Sequence, residues 1–232
     1  MAFKKKHKKR LEDEVIYSQG KKQLNSSKPI ILNYNNFPML LLAHMNHMHH
    51  KNKDNLHMES LGKQLIEYKF DYDLLQNFIQ KVCNWGGHDG IATRVINQNS
   101  KNHLVYTFSE AYTYLIGKQH NAAKALSIIN ELKHLGRPSF ASKHLRFLSP
   151  EYCPILDTII GNQFRLPLNE QGYDLLLQNY NKIARKLRVR KIELPKCRQR
   201  KNPFEWYMSD IDMAIFADLK KWQRDQIPKV YS

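Results

Sequence analysis

The chain is predicted to be all-α, a helical bundle. Three observations lead there. From Leu61 onward, apolar residues recur at three- and four-residue intervals in one segment after another. Helix-starting and helix-stopping residues bracket several of those segments, among them Asp71, Gly86-Gly87, Pro138 and Pro150. No series of alternating apolar and polar residues marks a sheet, and no internal repeat occurs. With 232 residues, the chain can form one sizeable globular domain or two small ones.

The first sixty residues read differently from the rest. Phe3-Lys-Lys-Lys-His-Lys-Lys-Arg10 is a dense basic run, followed by the partly neutralising Leu11-Glu-Asp-Glu14. It reads either as an arm that attracts nucleic acid without sequence preference or as a solvated tail. His44, His47, His49, His50 and His57 cluster with Met45, Met48 and Met58 beside them. Imidazoles at such spacings can bind a transition metal. Carboxylates are few nearby, however, and no His-Glu-x-x-His pattern occurs, so a polar linker or helix end is expected and no metal is assigned. The expected division is a basic, His-rich, partly flexible extension over residues 1–60 and a helical domain over 61–232.

Asp71 can cap a helix carrying Leu74, Leu75, Phe78, Ile79, Val82 and Trp85 on one stripe, ended by Gly86-Gly87. A short helix over 88–97 turns Ile91 and Val95 inward. Leu104, Phe108, Ala111, Tyr112, Leu115 and Ile116 outline a third. Asn121 to His134 follows, with Ala125, Leu126, Ile129 and Leu132 on one face; Gly136 suits a left-handed C-cap. Pro138 fits the first turn of the next helix, where its missing N–H is harmless. Phe140, His144, Phe147 and Leu148 continue that helix until Pro150 stops it. A long helix over 169–187 buries Tyr173, Leu176, Leu177 and Tyr180. Asn202-Pro203 opens a last segment with Ile211, Ala214, Ile215, Leu219 and Trp222 at helical spacing.

The helix-turn-helix around Gly136 carries the chemistry. Lys143 lies near the start of its second helix, which climbs about 8 Å from Lys143 to Leu148 at helical rise. Glu151 to Leu156 contains a proline and, if extended, spans up to about 20 Å. That is enough to return to the level of Lys143. Asp157 then heads Thr158-Ile-Ile as an N-cap aspartate would. Lys143 and Asp157 can therefore face one cleft. Taken singly, the lysine is also an ordinary surface charge and the aspartate an ordinary cap.

Charge narrows the partner. The formal net charge is +16, which favours a polyanion. No apolar run approaches the ~20 residues that span a bilayer; Pro38-Met-Leu-Leu-Leu-Ala43 is far too short. No signal-peptide pattern follows the basic start. Cys83, Cys153 and Cys197 are too scattered for a disulfide framework or a paired-cysteine metal site, and a reducing cytoplasm is expected.

Three segments, in this order, resemble the helix-hairpin-helix DNA glycosylase superfamily, in particular its prokaryotic 8-oxoguanine DNA glycosylase-like branch. They are Phe78-Ile-Gln-Lys-Val-Cys-Asn-Trp-Gly-Gly87; Ser139-Phe-Ala-Ser-Lys-His-Leu-Arg-Phe-Leu148 with Pro154-Ile-Leu-Asp157; and Asp210-Ile-Asp-Met-Ala-Ile-Phe216. The resemblance covers about residues 65–222, and its middle segment is the most specific. Where that family's hairpin usually has two glycines flanking an aliphatic residue, this chain has Gly136 beside Arg137 and Pro138. The lysine-to-aspartate interval is also shorter. Some members carry a four-cysteine cluster, which three cysteines cannot build.

The resemblance implies an enzyme that excises a damaged or modified base from DNA, as in base-excision repair or as a phage defence against modified foreign DNA. Lys143 would be the nucleophile and Asp157 its helper, with a Schiff base and AP-lyase strand cleavage open to follow. Ordinary lysine titrates at about 10.4, so attack needs burial or nearby positive charge. Gly136, Arg137, Ser139, Ser142 and Arg146 are the expected DNA contacts around the hairpin. Arg188, Arg190, Arg198 and Arg200 are those of a basic stretch running from Arg185 to Lys201. Phe140, Trp85 and Trp206 are candidate base-stacking platforms, and also candidate core residues. No cofactor is expected, and the protein is expected to be a monomer, nucleoid-associated through its DNA. The alternative is a non-catalytic DNA-binding protein of the same fold; an RNA-binding role is a third reading.

Overall fold

A computed structural model of the chain describes residues 32–117 and 120–222. The basic run Phe3–Arg10 lies outside them. Ten α-helices and no strands occur among the described residues. They are α1 (Phe37–His50), α2 (Asn55–Glu67), α3 (Tyr72–Trp85), α4 (Asp89–Gln98), α5 (Lys101–Ile116), α6 (Ala122–Asn130), α7 (Pro138–Leu148), α8 (Thr158–Phe164), α9 (Glu170–Val189) and α10 (Met208–Leu219). None is long and apolar enough to cross a membrane.

Side-chain caps set most helix starts. Asp54, Asp71, Ser100, Asn121, Asp157 and Asn169 each accept from a backbone N–H of the first turn. Pro138 opens α7, and α7 stops at Leu148, two residues before Pro150.

The helices share one core. α1 lies along α10, α6 along α5, and α7 is held between α6 and α2, with α3 also against it. Gly62 makes the α2–α7 crossing possible. A Cβ there would lie 2.0 Å from the Phe147 carbonyl oxygen, so the roughly 1 kcal/mol that glycine costs a helix is the smaller penalty.

Between α2, α7, α10 and the 3-10 turn Lys196–Arg198 runs a buried chain of charges. Arg146 is wholly buried and pairs with Glu59 at 3.1 Å. The other Glu59 oxygen takes Arg198 at 2.6 Å. Arg198 and Arg200 both reach Asp210, at 2.7 and 2.8 Å. Each cation has a carboxylate, and each carboxylate has two cationic partners, which offsets part of the cost of burying such groups, while Arg146 Nε and Nη1 have no hydrogen-bond partner.

Several expectations are corrected. The boundary drawn at residue 60 falls inside α2. Phe37, Leu41, Met45 and Met58 are core residues, so the body extends back at least to Tyr34. The run Pro38–Ala43 is apolar because α1 covers α10. α6 ends at Asn130, and residues 131–135 form turns. The left-handed residue there is His134 (φ 70°), not Gly136. The last helix begins at Met208, well after Pro203. Ile116 is 60% exposed, at the C-terminal end of α5.

Leu41→Ala tests whether α1 belongs to this core. It should destabilise the protein by about 2–5 kcal/mol, as buried leucine truncations do. Urea denaturation measures this; a loss within ~0.5 kcal/mol would place α1 outside the cooperative unit.

Candidate active site

One cavity of about 400 Å³ brings together side chains from five regions of the chain. α3 ends into it with Trp85, Gly86 and His88 follow, and α7 presents Ser139 and Lys143. Ile155 and Asp157 come from the segment leading into α8. α1 and α10 close it with His44 and Met48, and with Asp212 and Phe216. Lys143 and Asp157 therefore do line one space.

The return of the chain from Leu148 to Asp157 is pinned by two hydroxyls. The Leu156 N–H donates to Ser142 Oγ (3.1 Å), and Tyr173 donates its hydroxyl to the Pro154 carbonyl (3.0 Å). Asp157 then caps α8, accepting from the Ile159 and Ile160 N–H groups at 2.9 Å each. Ser142 lies one residue before Lys143 in sequence, so the same short stretch of α7 carries the lysine and ties down the approach to the aspartate.

Lys143 is half-buried. Its Nζ donates to Ser139 Oγ (2.7 Å) and to the Ser139 carbonyl (3.0 Å). Burial pushes its pKa below the ordinary lysine range, while the negative charges of Asp157 and Asp212 pull the other way. Desolvation prevails. The lysine is thus moved toward the neutral form that a nucleophile needs.

Asp212 was not singled out from the sequence. It is 4% exposed and accepts the Tyr180 hydroxyl at 3.1 Å. Burial raises its pKa to about 7; the neighbouring Asp157 adds to this, and Arg146 opposes it. An acid inside the apolar stripe Ile211–Met213–Ala214–Ile215 was the available signal, and Asp210 in the same stripe carries it too. Asp210 serves the ion chain, whereas Asp212 faces the cavity. His44 is held neutral, its pKa lowered to about 3 by burial and the nearby Arg146 and His47. Its Nδ1 lies 3.4 Å from the Asn55 amide nitrogen.

The remaining sequence-predicted residues divide sharply. Gly136 and Arg137 are exposed in the turn before α7, and Ser139 lines the cavity. Arg188 and Arg190 are exposed at the end of α9, where the Arg190 guanidinium sits 4.8 Å from the centre of the Tyr34 ring. Along the chain, Tyr34 precedes the cavity residue His44 by about 15 Å at helical rise. Ser142, Arg146 and Arg198 are buried and bonded within the protein, and so are not available to DNA. Arg200 is bound to Asp210 and lies over the Tyr207 ring at 3.4 Å. In each case a polar group of the chain's own core claims the side chain, which a run of basic letters does not reveal.

Trp85 lines the cavity, edge-on to Phe147 at 5.0 Å. Phe140 stands beside it, edge-on to His88 at 5.1 Å. Trp206 is a core residue: it is buried, donates its indole N–H to the Ile192 carbonyl (2.9 Å) and meets Phe37 edge-on. It cannot stack a base. The histidines of 44–57 are dispersed. His44 faces the cavity, His47 stacks on Trp222 at 3.8 Å, and His49 pairs with Asp54 at 3.6 Å. Among the described residues, no group of three or more histidines, cysteines or acids is placed to hold a metal ion.

No family model, no curated protein and no solved structure matches this chain.

Asp212 makes a signed prediction. Its folded pKa lies above the unfolded value of 3.8, so the folded state binds the extra proton between about pH 4 and 7. Its contribution to stability therefore falls as pH rises through that window. Asp212→Asn removes the charge but keeps the acceptor for Tyr180. It should raise the thermal midpoint relative to the parent more at pH 8 than at pH 5. Equal differences at both pH values would show that Asp212 does not titrate there.

Proposed function

We propose that the protein is a DNA glycosylase, with Lys143 as nucleophile and Asp157 as its helper. The observation that carries this reading is the amine of Lys143, half-buried and depressed in pKa, lining one cavity with two carboxyls. A lysine used only for phosphate contact gains nothing from burial, whereas a nucleophilic lysine does.

The chemistry follows from the groups present. A target base turned out of the stack, at a cost of a few kcal/mol, enters the cavity beside Trp85. The neutral Lys143 amine attacks the sugar carbon that bears the base. The C–N bond to the base breaks and its electron pair leaves with the base. Asp157 stabilises positive charge gathering on the sugar. Loss of a proton from nitrogen and opening of the ring give a Schiff base, which either hydrolyses or supports elimination of the 3′ phosphate. The charge of +16, with Arg137 exposed next to the site, supplies attraction for the DNA backbone.

Borohydride trapping tests this. The parent is incubated with duplexes carrying oxidised, deaminated, alkylated or hypermodified bases, or an abasic site, with Lys143→Gln in parallel. The expected result is a covalent adduct with the parent and none with the variant, whose fold and duplex affinity stay close to the parent's. Salt-sensitive binding with no adduct and no base release on any duplex would replace this reading with a non-catalytic DNA-binding protein.

The two kinds of arginine should also separate. Arg188→Gln should leave stability within about 0.5 kcal/mol and weaken duplex binding, with a shallower salt dependence. Arg198→Gln leaves Glu59 and Asp210 short of a partner in the interior, and should cost about 3–5 kcal/mol of stability. Denaturation and binding titrations over a salt series measure both; matching effects from the two would contradict the assignment.

A further inference from the structure

Lys143 is held at both ends of its side chain. Its stem passes Gly86, where a Cβ would lie 3.3 Å from Cδ and 3.5 Å from Cε. Its tip is held by a single residue one helical turn earlier, through Ser139 Oγ at 2.7 Å and the Ser139 carbonyl at 3.0 Å. Two acceptors suit a neutral amine. The –NH₂ group has two N–H donors, and Ser139 can take both, leaving the lone pair as the fourth corner of the nitrogen. An ammonium has three donors and would have one left over. Ser139 itself lines the cavity beside Lys143.

We propose that Ser139 is the positioning residue of the nucleophile: its hydroxyl and carbonyl hold the Lys143 amine by its two N–H bonds and leave the lone pair for the substrate carbon. This rests on the glycosylase reading above. It replaces the expected role of Ser139 as a DNA phosphate contact.

The hydroxyl also leaves a signature in pH. As an acceptor, it bonds more strongly to the charged ammonium than to the amine, so it raises the lysine pKa. Removing it should lower that pKa further while loosening the amine. A general structural loss would slow the reaction without moving its pH dependence.

The experiment uses the full chain and its Ser139→Ala and Ser139→Thr variants. Single-turnover borohydride trapping on an abasic-site duplex is followed across pH. In parallel, acetylation of Lys143 by acetic anhydride without DNA is followed by peptide mass spectrometry. Ser139→Ala should trap at least about tenfold more slowly on the pH plateau, as misplaced reacting groups do. Its acid limb should move to lower pH, its acetylation profile should move the same way, and its duplex affinity should hold. Ser139→Thr should restore the parent's behaviour. An Ala variant with the parent's rate and pH limb overturns the proposal. So does an unchanged rate with weakened duplex affinity, which would return the hydroxyl to phosphate contact. If the parent itself forms no adduct and releases no base from any duplex, the glycosylase reading fails. Acetylation then still decides: a Lys143 profile unmoved by Ser139→Ala shows that the serine does not govern the amine.

Discussion

The fold depends on the burial of Arg146. A wholly buried guanidinium must keep its carboxylate, and Glu59 on α2 provides it. Glu59 in turn holds Arg198, which holds Asp210 at the start of α10. Rotating α7 about its axis would pull Arg146 from Glu59 and leave charge unpaired in the core. Lys143 lies three residues before Arg146, and positions three apart are neighbours on a helix surface. The ion pair that locks α7 therefore also aims the lysine. Gly62 lets α2 come close enough for this by admitting the Phe147 carbonyl where a methyl group would stand.

Desolvation gives the cavity its chemical character. Burial lowers Lys143 and His44 and raises Asp212, so it favours the uncharged form of all three. Asp157 differs in having two backbone N–H donors from α8. The cavity thus holds a weakened base, a proton-holding acid and a side chain that caps a helix. In a protein of net charge +16, the cavity is the place where positive charge is suppressed while the exposed surface keeps it.

Small hydroxyls do much of the assembly. Ser142 fastens the backbone just before Asp157, Tyr173 fastens it at Pro154, and Tyr180 fastens Asp212. Each is a neutral group satisfying a polar atom that burial would otherwise leave unpaired. Ser139 and Ser142, which both precede the lysine in α7, thereby act on two different parts of one site.

What was legible in the sequence was local. The all-α class, the caps Asp71 and Asp157, and the stop of α7 before Pro150 follow from periodicity and from the conformational limits of proline and capping residues. The juxtaposition of Lys143 with Asp157 also followed from chain lengths, because one short helix and one extended return constrain where the aspartate can arrive. What only the tertiary structure decided was which charges are inside. Arg146 and Arg198 look like Arg137 and Arg188 in a string of letters, yet two are sealed against carboxylates and two face solvent. α1 looked like a histidine-rich linker, since its apolar run is short and its histidines are polar, until α10 was seen to lie beneath it. Asp212 became visible for the same reason: a cavity formed by helices far apart in sequence sets its environment, and burial, which no local pattern encodes, sets its charge.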